Sequence, residues 1–121
     1  GFMTSKAMQV ADSLSSSGID VGVIDIGTIK PINREAILNI AKNSKHMFVI
    51  EEHSIVGGLS TTVSEILADN NVSVDFKRLG LPDVQIFEYG DRDWILDRYG
   101  LSIEKITESI YKKILPENKI V

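Results

Sequence analysis

Five residues in one short stretch of the sequence have side chains or backbones suited to chemistry. Glu51-Glu52-His53 sets two carboxylates beside an imidazole, and Gly57-Gly58 follows shortly after. Neighbouring carboxylates and imidazoles can shift one another's pKa values and transfer protons. Glycines at the start of a helix leave backbone N–H groups open to a phosphate or a carboxylate. We call these five residues the strand-end patch, because they follow a predicted buried strand.

A less reactive interpretation of the strand-end patch is favoured. The carboxylates can bond loop N–H groups and face solvent or a neighbouring domain, and no nucleophile or metal partner accompanies them. The glycine spacing matches neither a dinucleotide-binding nor a Walker motif, and a tight turn explains the glycines equally well. His46 and His53 lack the i, i+4 spacing of helical metal ligands. We therefore predict a domain-interface or substrate-approach patch, with no catalytic, cofactor-binding or metal-binding residue.

The elements that position the patch alternate between helix and strand, which predicts an α/β fold with parallel strands. Three β-branched or alternating runs predict strands at residues 21–26, 47–50 and 72–79. In a parallel sheet, ligands gather outside the carboxyl ends of the strands, where the patch would lie. Apolar residues at helical spacing predict five helices. The predicted N-caps are Thr4, Asn33, Asp91 and Ser102, and Gly57-Gly58 is predicted to form a turn into the third helix.

Length and composition place limits on function. The 121 residues predict one domain, over residues 1–115, with a frayed tail at 116–121 beyond the end of the last helix. A net charge of −4 without a basic stripe argues against nucleic acid. No apolar stretch approaches the roughly 20 residues needed to cross a bilayer, and no signal peptide is visible. With no cysteine, disulfides and thiolate chemistry are excluded, and we expect a cytoplasmic protein.

Three segments, taken in order, resemble the C-terminal domain of the transketolase family. The first segment contains Lys30-Pro31, the second is the strand-end patch with its Glu-Glu and Gly-Gly pairs, and the third contains Gly80-Leu81-Pro82. The resemblance covers most of the chain. Within the family it is strongest to transketolases, including forms split into two subunits. It implies a three-layer α/β/α fold with a mostly parallel sheet.

The resemblance also implies where the chemistry lies. Enzymes of this family have three domains, with thiamine diphosphate and magnesium between the two domains that this chain does not contain, at a dimer interface. Gly90-Asp91-Arg92 does not match the family's metal-binding segment, so no cofactor ligand is assigned to this chain. The expected partners are the missing catalytic domains or subunit, in a homodimer of the complete enzyme that transfers a two-carbon ketol unit between sugar phosphates.

The sheet of such relatives includes one more strand, directly before the position of Gly1. The chain thus resembles a domain that starts one strand late. A sheet that lacks an inner strand would expose unpaired backbone groups. We therefore expect either that upstream sequence supplies that strand or that this chain pairs differently.

Three alternatives remain open. The chain could be the C-terminal domain of a deoxyxylulose-phosphate synthase. It could be the module of a 2-oxoacid dehydrogenase beta subunit that docks an acyltransferase, which an exposed apolar patch with Phe87, Tyr89 and Trp94 would favour. It could also be a stand-alone enzyme that acts through Glu52 and His53, although no complete catalytic set is visible.

Overall fold

The structure, a computed structural model, describes residues 1–115 and divides into two compact units. Its elements, in chain order, are α1 (Phe2–Ser16), α2 (Arg34–Lys42), β1 (His46–Ser54), α3 (Leu59–Asp69), β2 (Asp75–Leu81), α4 (Arg92–Arg98) and α5 (Ile103–Ile114). Of the described residues, the helical unit contains Gly1–Asp25 and residues 85–115, and the α/β unit is Ile26–Val84. The predicted tail at residues 116–121 lies outside the described part of the chain.

The α/β unit is built on two parallel strands. Within residues 1–115, β1 and β2 form a two-stranded sheet, in register from His46 opposite Asp75 to Ile50 opposite Leu79. Parallel neighbours need a long crossover, and α3 supplies it. The prediction of an α/β fold with parallel strands is confirmed.

One apolar cluster holds this unit together. Helix α3 packs against α2 and against β1, and Asn33 caps α2 by accepting a hydrogen bond from the Ala36 N–H at 3.0 Å. Each buried aliphatic side chain contributes about 1.5–3 kcal/mol. The cluster consists of Ile37, Ala41, Val49, Val63, Ile66 and Leu67.

The helical unit is formed by α1, α4 and α5, with α1 packed along α5. Asp91 and Ser102 cap α4 and α5 through the N–H groups of Trp94 and Lys105, as predicted. Gly18 has φ +80° where α1 ends, and its neighbour Ile19 donates to the Leu14 carbonyl. The buried apolar residues are Val10, Leu14, Leu96, Leu101, Ile106 and Ile110.

Two local predictions are wrong. Residues 21–26 form no strand within the described chain, because a β-branched run favours an extended backbone but becomes a strand only beside a partner. Thr4 is not an N-cap, since α1 begins at Phe2 with Gly1 before it. The Thr4 hydroxyl instead donates to the Asp25 carboxylate at 2.8 Å.

Across residues 1–115, each helix is too short or too polar to cross a bilayer.

Candidate functional site

The strand-end patch lies where β1 departs from regular pairing. Ile50 is opposite Leu79, but the next paired residue, Ser54, is opposite Leu81. Four steps along β1 therefore match two steps along β2, so the three residues Glu51-Glu52-His53 lie opposite the single residue Gly80. Bulges of this kind redirect side chains and occur often beside functional sites. The sequence pattern identified this segment but not the bulge that shapes it.

Glu51 is buried and performs a structural task. The residue is only 7% exposed, and one of its carboxylate oxygens accepts a hydrogen bond from the Ser60 N–H at 2.8 Å. Ser60 is the second residue of α3, so this bond satisfies one of the open N–H groups at the helix start. A carboxylate at this end also interacts favourably with the helix dipole. The carboxylate therefore caps α3 from the neighbouring strand.

Two glycines make room for this buried carboxylate. A Cβ atom on Gly58 would overlap Glu51 Oε1, and a Cβ atom on Gly80 would lie 3.0 Å from Glu51 Cγ and 2.6 Å from Ile55 Cγ2. Gly80 would also come within 3.1 Å of the His53 carbonyl oxygen. Close approach of backbone and side chain thus explains Gly58 and Gly80. In the sequence, Gly80 stood out only as part of the third segment that resembles the family.

The turn between β1 and α3 is closed by a dense set of hydrogen bonds. Gly57 has φ +78° and donates its N–H to Thr61 Oγ1 at 3.0 Å. The Ile55 carbonyl accepts from the hydroxyls of Ser60 and Thr61 and from Arg78 Nη1, at 3.3, 3.0 and 3.3 Å.

Because Glu51 already supplies a negative charge to the start of α3, a phosphate at this helix start would meet a like charge.

The other two members of the patch differ from Glu51. Glu52 is half-buried and His53 is exposed, so Glu51 is the buried member of the patch and His53 lies at its surface. His46, at the opposite end of β1, contacts Asp75 with a 2.7 Å distance between Nδ1 and Oδ2. Among residues 1–115, no three His, Cys, Asp or Glu side chains are grouped to hold a metal ion.

Comparison with known proteins places the chain in a family. The model for the transketolase C-terminal domain matches residues 1–106. This chain belongs to the transketolase C-terminal domain family. The identification made from the three sequence segments is confirmed.

Two relatives and one solved structure show how similar the chain is to members of this family. The chain is 34% identical to a 1-deoxy-D-xylulose-5-phosphate synthase of Pelotomaculum thermopropionicum, over 93% of this chain and 18% of the synthase. It is 30% identical to one subunit of an apulose-4-phosphate transketolase of Actinobacillus succinogenes, over 88% of this chain and 35% of that subunit. A split-gene transketolase, solved as an inactive β4 tetramer, matches with a TM-score of 0.83 and 32% identity, over 94% of this chain and 37% of that chain.

The chain matches only part of each of these proteins. This transketolase C-terminal domain spans between about a fifth and two-fifths of the length of these three relatives.

A second polar cluster in this transketolase C-terminal domain lies in the helical unit and was missed in the sequence. The Glu88 carboxylate accepts hydrogen bonds from Arg98 Nε at 3.0 Å and from the Tyr99 hydroxyl at 3.1 Å. The pKa of Glu88 is held below its ordinary value of 4.5, first by the bond from its own N–H and then by Arg98. Burial, followed by the bond to Glu88, raises the pKa of Tyr99 above 10.0. The sequence gives no sign of this pairing, because Glu88 comes before Asp91, the N-cap of α4, whereas Arg98 and Tyr99 come at the end of that helix.

Proposed function

We propose that this chain is the non-catalytic C-terminal domain of a thiamine-diphosphate-dependent enzyme that transfers a two-carbon ketol unit between sugar phosphates. The observation that carries the proposal is the family match over residues 1–106, combined with the small share of each relative that the chain spans. Most of such an enzyme, including its reactive part, then lies in other domains or in a second subunit. Bound thiamine diphosphate would supply the carbanion chemistry of the transfer.

No residue of this chain is proposed as a ligand of that cofactor. Magnesium bound to a diphosphate is held by one or two protein carboxylates together with phosphate oxygens, and Gly90-Asp91-Arg92 does not match the family's metal-binding segment. The Asp91 carboxylate accepts the Trp94 N–H at 2.8 Å as the cap of α4. The start of α3 is already capped by Glu51. We propose that the cofactor is held by the other domains, as the family match over residues 1–106 suggests.

The role proposed for the domain is to stabilise the dimer and to shape the approach to the active site through the strand-end patch. Glu51 fixes the turn between β1 and α3, and His53 is the member of the patch whose side chain is exposed toward other molecules or domains. In this role the imidazole of His53 contacts either substrate polar groups or a neighbouring domain, and it forms no bond with the reacting carbon.

The experiment that tests this function removes residues 1–115 from the complete enzyme. We expect loss of ketol transfer between sugar phosphates together with weakened dimerisation, measured by a coupled assay and by sedimentation. Full activity and full dimerisation after the deletion would refute the proposal.

A second candidate is the C-terminal domain of a 1-deoxy-D-xylulose-5-phosphate synthase, and the 34% identity to such a synthase favours it. The two candidates differ in product. Formation of 1-deoxy-D-xylulose 5-phosphate by the complete enzyme would support the synthase, whereas exchange of a two-carbon unit between sugar phosphates would support the transketolase.

A further inference from the structure

Gly80 lies opposite the bulge of β1 that ends at His53. Pairing with β1 is regular up to Leu79 and resumes at Leu81, so the single residue Gly80 faces three residues of the neighbouring strand. A bulge redirects the side chains of the strand that contains it. The direction of the His53 side chain is therefore set where β1 passes Gly80.

The approach of β1 to Gly80 leaves no room for a side chain. A Cβ atom on Gly80 would lie 2.6 Å from Ile55 Cγ2, 3.0 Å from Glu51 Cγ and 3.1 Å from the His53 carbonyl oxygen. The Ile55 methyl group is part of a β-branched side chain, which has few alternative rotamers and cannot swing aside as the end of a long side chain could. Glycine inside a strand often marks such a close approach of another backbone. A side chain at position 80 would therefore push β1 away from β2.

The contacts on either side of the bulge decide which residue of β1 would move. The buried carboxylate of Glu51 is held by the Ser60 N–H at 2.8 Å. Beyond the bulge, the Ile55 N–H donates to the Leu81 carbonyl at 2.9 Å. His53 lies between these two fixed points, and its side chain is exposed. A push from position 80 is therefore expected to displace His53.

We propose that Gly80 is a positioning residue, which lets β1 come close enough to β2 for the imidazole of His53 to reach the polar groups of a sugar phosphate. This inference rests on the proposed function and takes the first of its two options for His53, contact with the substrate. Gly80 acts through His53 and touches neither the substrate nor the reacting atoms.

A double-mutant cycle in the complete enzyme tests the inference. Gly80→Ala is expected to raise KM for the sugar phosphate about fivefold and to leave kcat within about twofold, because a contact made equally before and during the reaction affects KM. In an enzyme that already carries His53→Ala, the same change is expected to alter KM by less than about twofold, because two residues that act through one contact are not additive. A purely structural role of Gly80 would raise KM equally in both backgrounds, and that result would overturn the inference.

Gly22→Ala is the matched control for the glycine substitution. A Cβ atom on Gly22 would meet no atom within 4 Å, and its backbone lies outside the left-handed region. KM is expected to stay at the wild-type value in this variant. An equal rise of KM in Gly22→Ala and Gly80→Ala would contradict the inference.

A second variant covers the case in which Gly80→Ala does not fold. Ile55→Ala removes the methyl group at 2.6 Å but keeps the 3.1 Å approach to the His53 carbonyl oxygen. The double variant Gly80→Ala, Ile55→Ala is expected to show the same rise of KM relative to Ile55→Ala. No rise in this comparison would also overturn the inference.

Failure of this inference differs from failure of the proposed function. An enzyme that transfers ketol units but has an unchanged KM in Gly80→Ala would refute the inference and leave the proposed function standing. An enzyme without ketol transfer would refute the proposed function, and the same cycle is then measured on the reaction that this enzyme catalyses.

Discussion

At the scale of single residues, the carboxylate of Glu51 is the centre of the strand-end patch. It accepts the Ser60 N–H, and Gly58 approaches it too closely to tolerate a Cβ atom without rearrangement. Gly80 lies against the Glu51 Cγ and Ile55 Cγ2 atoms in the same way. The residue types of the patch could be identified in the sequence, but their division into an interior carboxylate and an exposed imidazole could not. That division depends on the bulge in β1, which arises from pairing with a strand more than twenty residues away.

Replacement of Glu51 tests this assignment. We expect Glu51→Ala to lower the free energy of unfolding by about 1–3 kcal/mol, because it leaves the Ser60 N–H without its partner. Urea-induced unfolding followed by circular dichroism measures the change. Glu65→Ala, on the exposed side of α3, is the control and is expected to change stability by about 0.5 kcal/mol or less. Equal stability of the two variants would show that Glu51 does not act as a cap.

At the scale of helices and strands, the sequence was enough to predict an element's boundary where the stabilising contact is local. Asn33, Asp91 and Ser102 each cap a helix through an N–H three residues ahead, and all three were predicted from the sequence. Residues 21–26 were predicted as a strand from their β-branched composition, and they pair with no strand within the described chain. Pairing depends on which segment lies alongside, and that information is not contained in the segment itself.

We expect the stability of the loop before α4 to depend on pH, because the pKa values of Glu88 and Tyr99 are shifted. The pKa of Glu88 is lowered, so its contribution to stability is present above pH 4.5 and is lost as the pH falls through the lowered pKa. The pKa of Tyr99 is raised, so its contribution is present below pH 10.0 and is lost as the pH rises through the raised pKa. We expect hydrogen exchange at residues 86–90 to accelerate, after correction for intrinsic rates, at both extremes.

Two variants separate the acidic and alkaline limits. Tyr99→Phe removes the titrating hydroxyl and should abolish the alkaline loss while it preserves the acidic one. Glu88→Gln removes the titrating carboxylate and should abolish the acidic loss. An unchanged alkaline limit in Tyr99→Phe would mean that another group controls it.

At the scale of the whole molecule, the two histidines lie at opposite ends of β1 and give the proposed site a matched test. In the complete enzyme, we expect His53→Ala to reduce kcat/KM for the sugar phosphate by about tenfold, as expected for loss of one polar contact. Its thermal unfolding should change little, because the side chain is exposed. His46→Ala breaks the contact with Asp75 and is expected to alter stability without altering kcat/KM. Equal kcat/KM in the His53 variant and the wild-type enzyme would exclude His53 from the substrate approach.

The family and the α/β class could be predicted from the sequence because they depend on three spaced segments and on alternating helices and strands. The pairing of Glu88 with Arg98 and Tyr99 could not, because α4, capped by Asp91, separates Glu88 from them in the sequence and brings them together only through its fold. The sequence identified Phe87, Tyr89 and Trp94 as aromatic, and the structure shows that each is exposed.

The most direct test of the account is a calorimetric titration of thiamine diphosphate with magnesium into this chain alone and into the complete enzyme. We expect heat of binding for the complete enzyme and none for this chain, because the proposed cofactor site lies in the other domains. Binding of thiamine diphosphate by the isolated chain would contradict it.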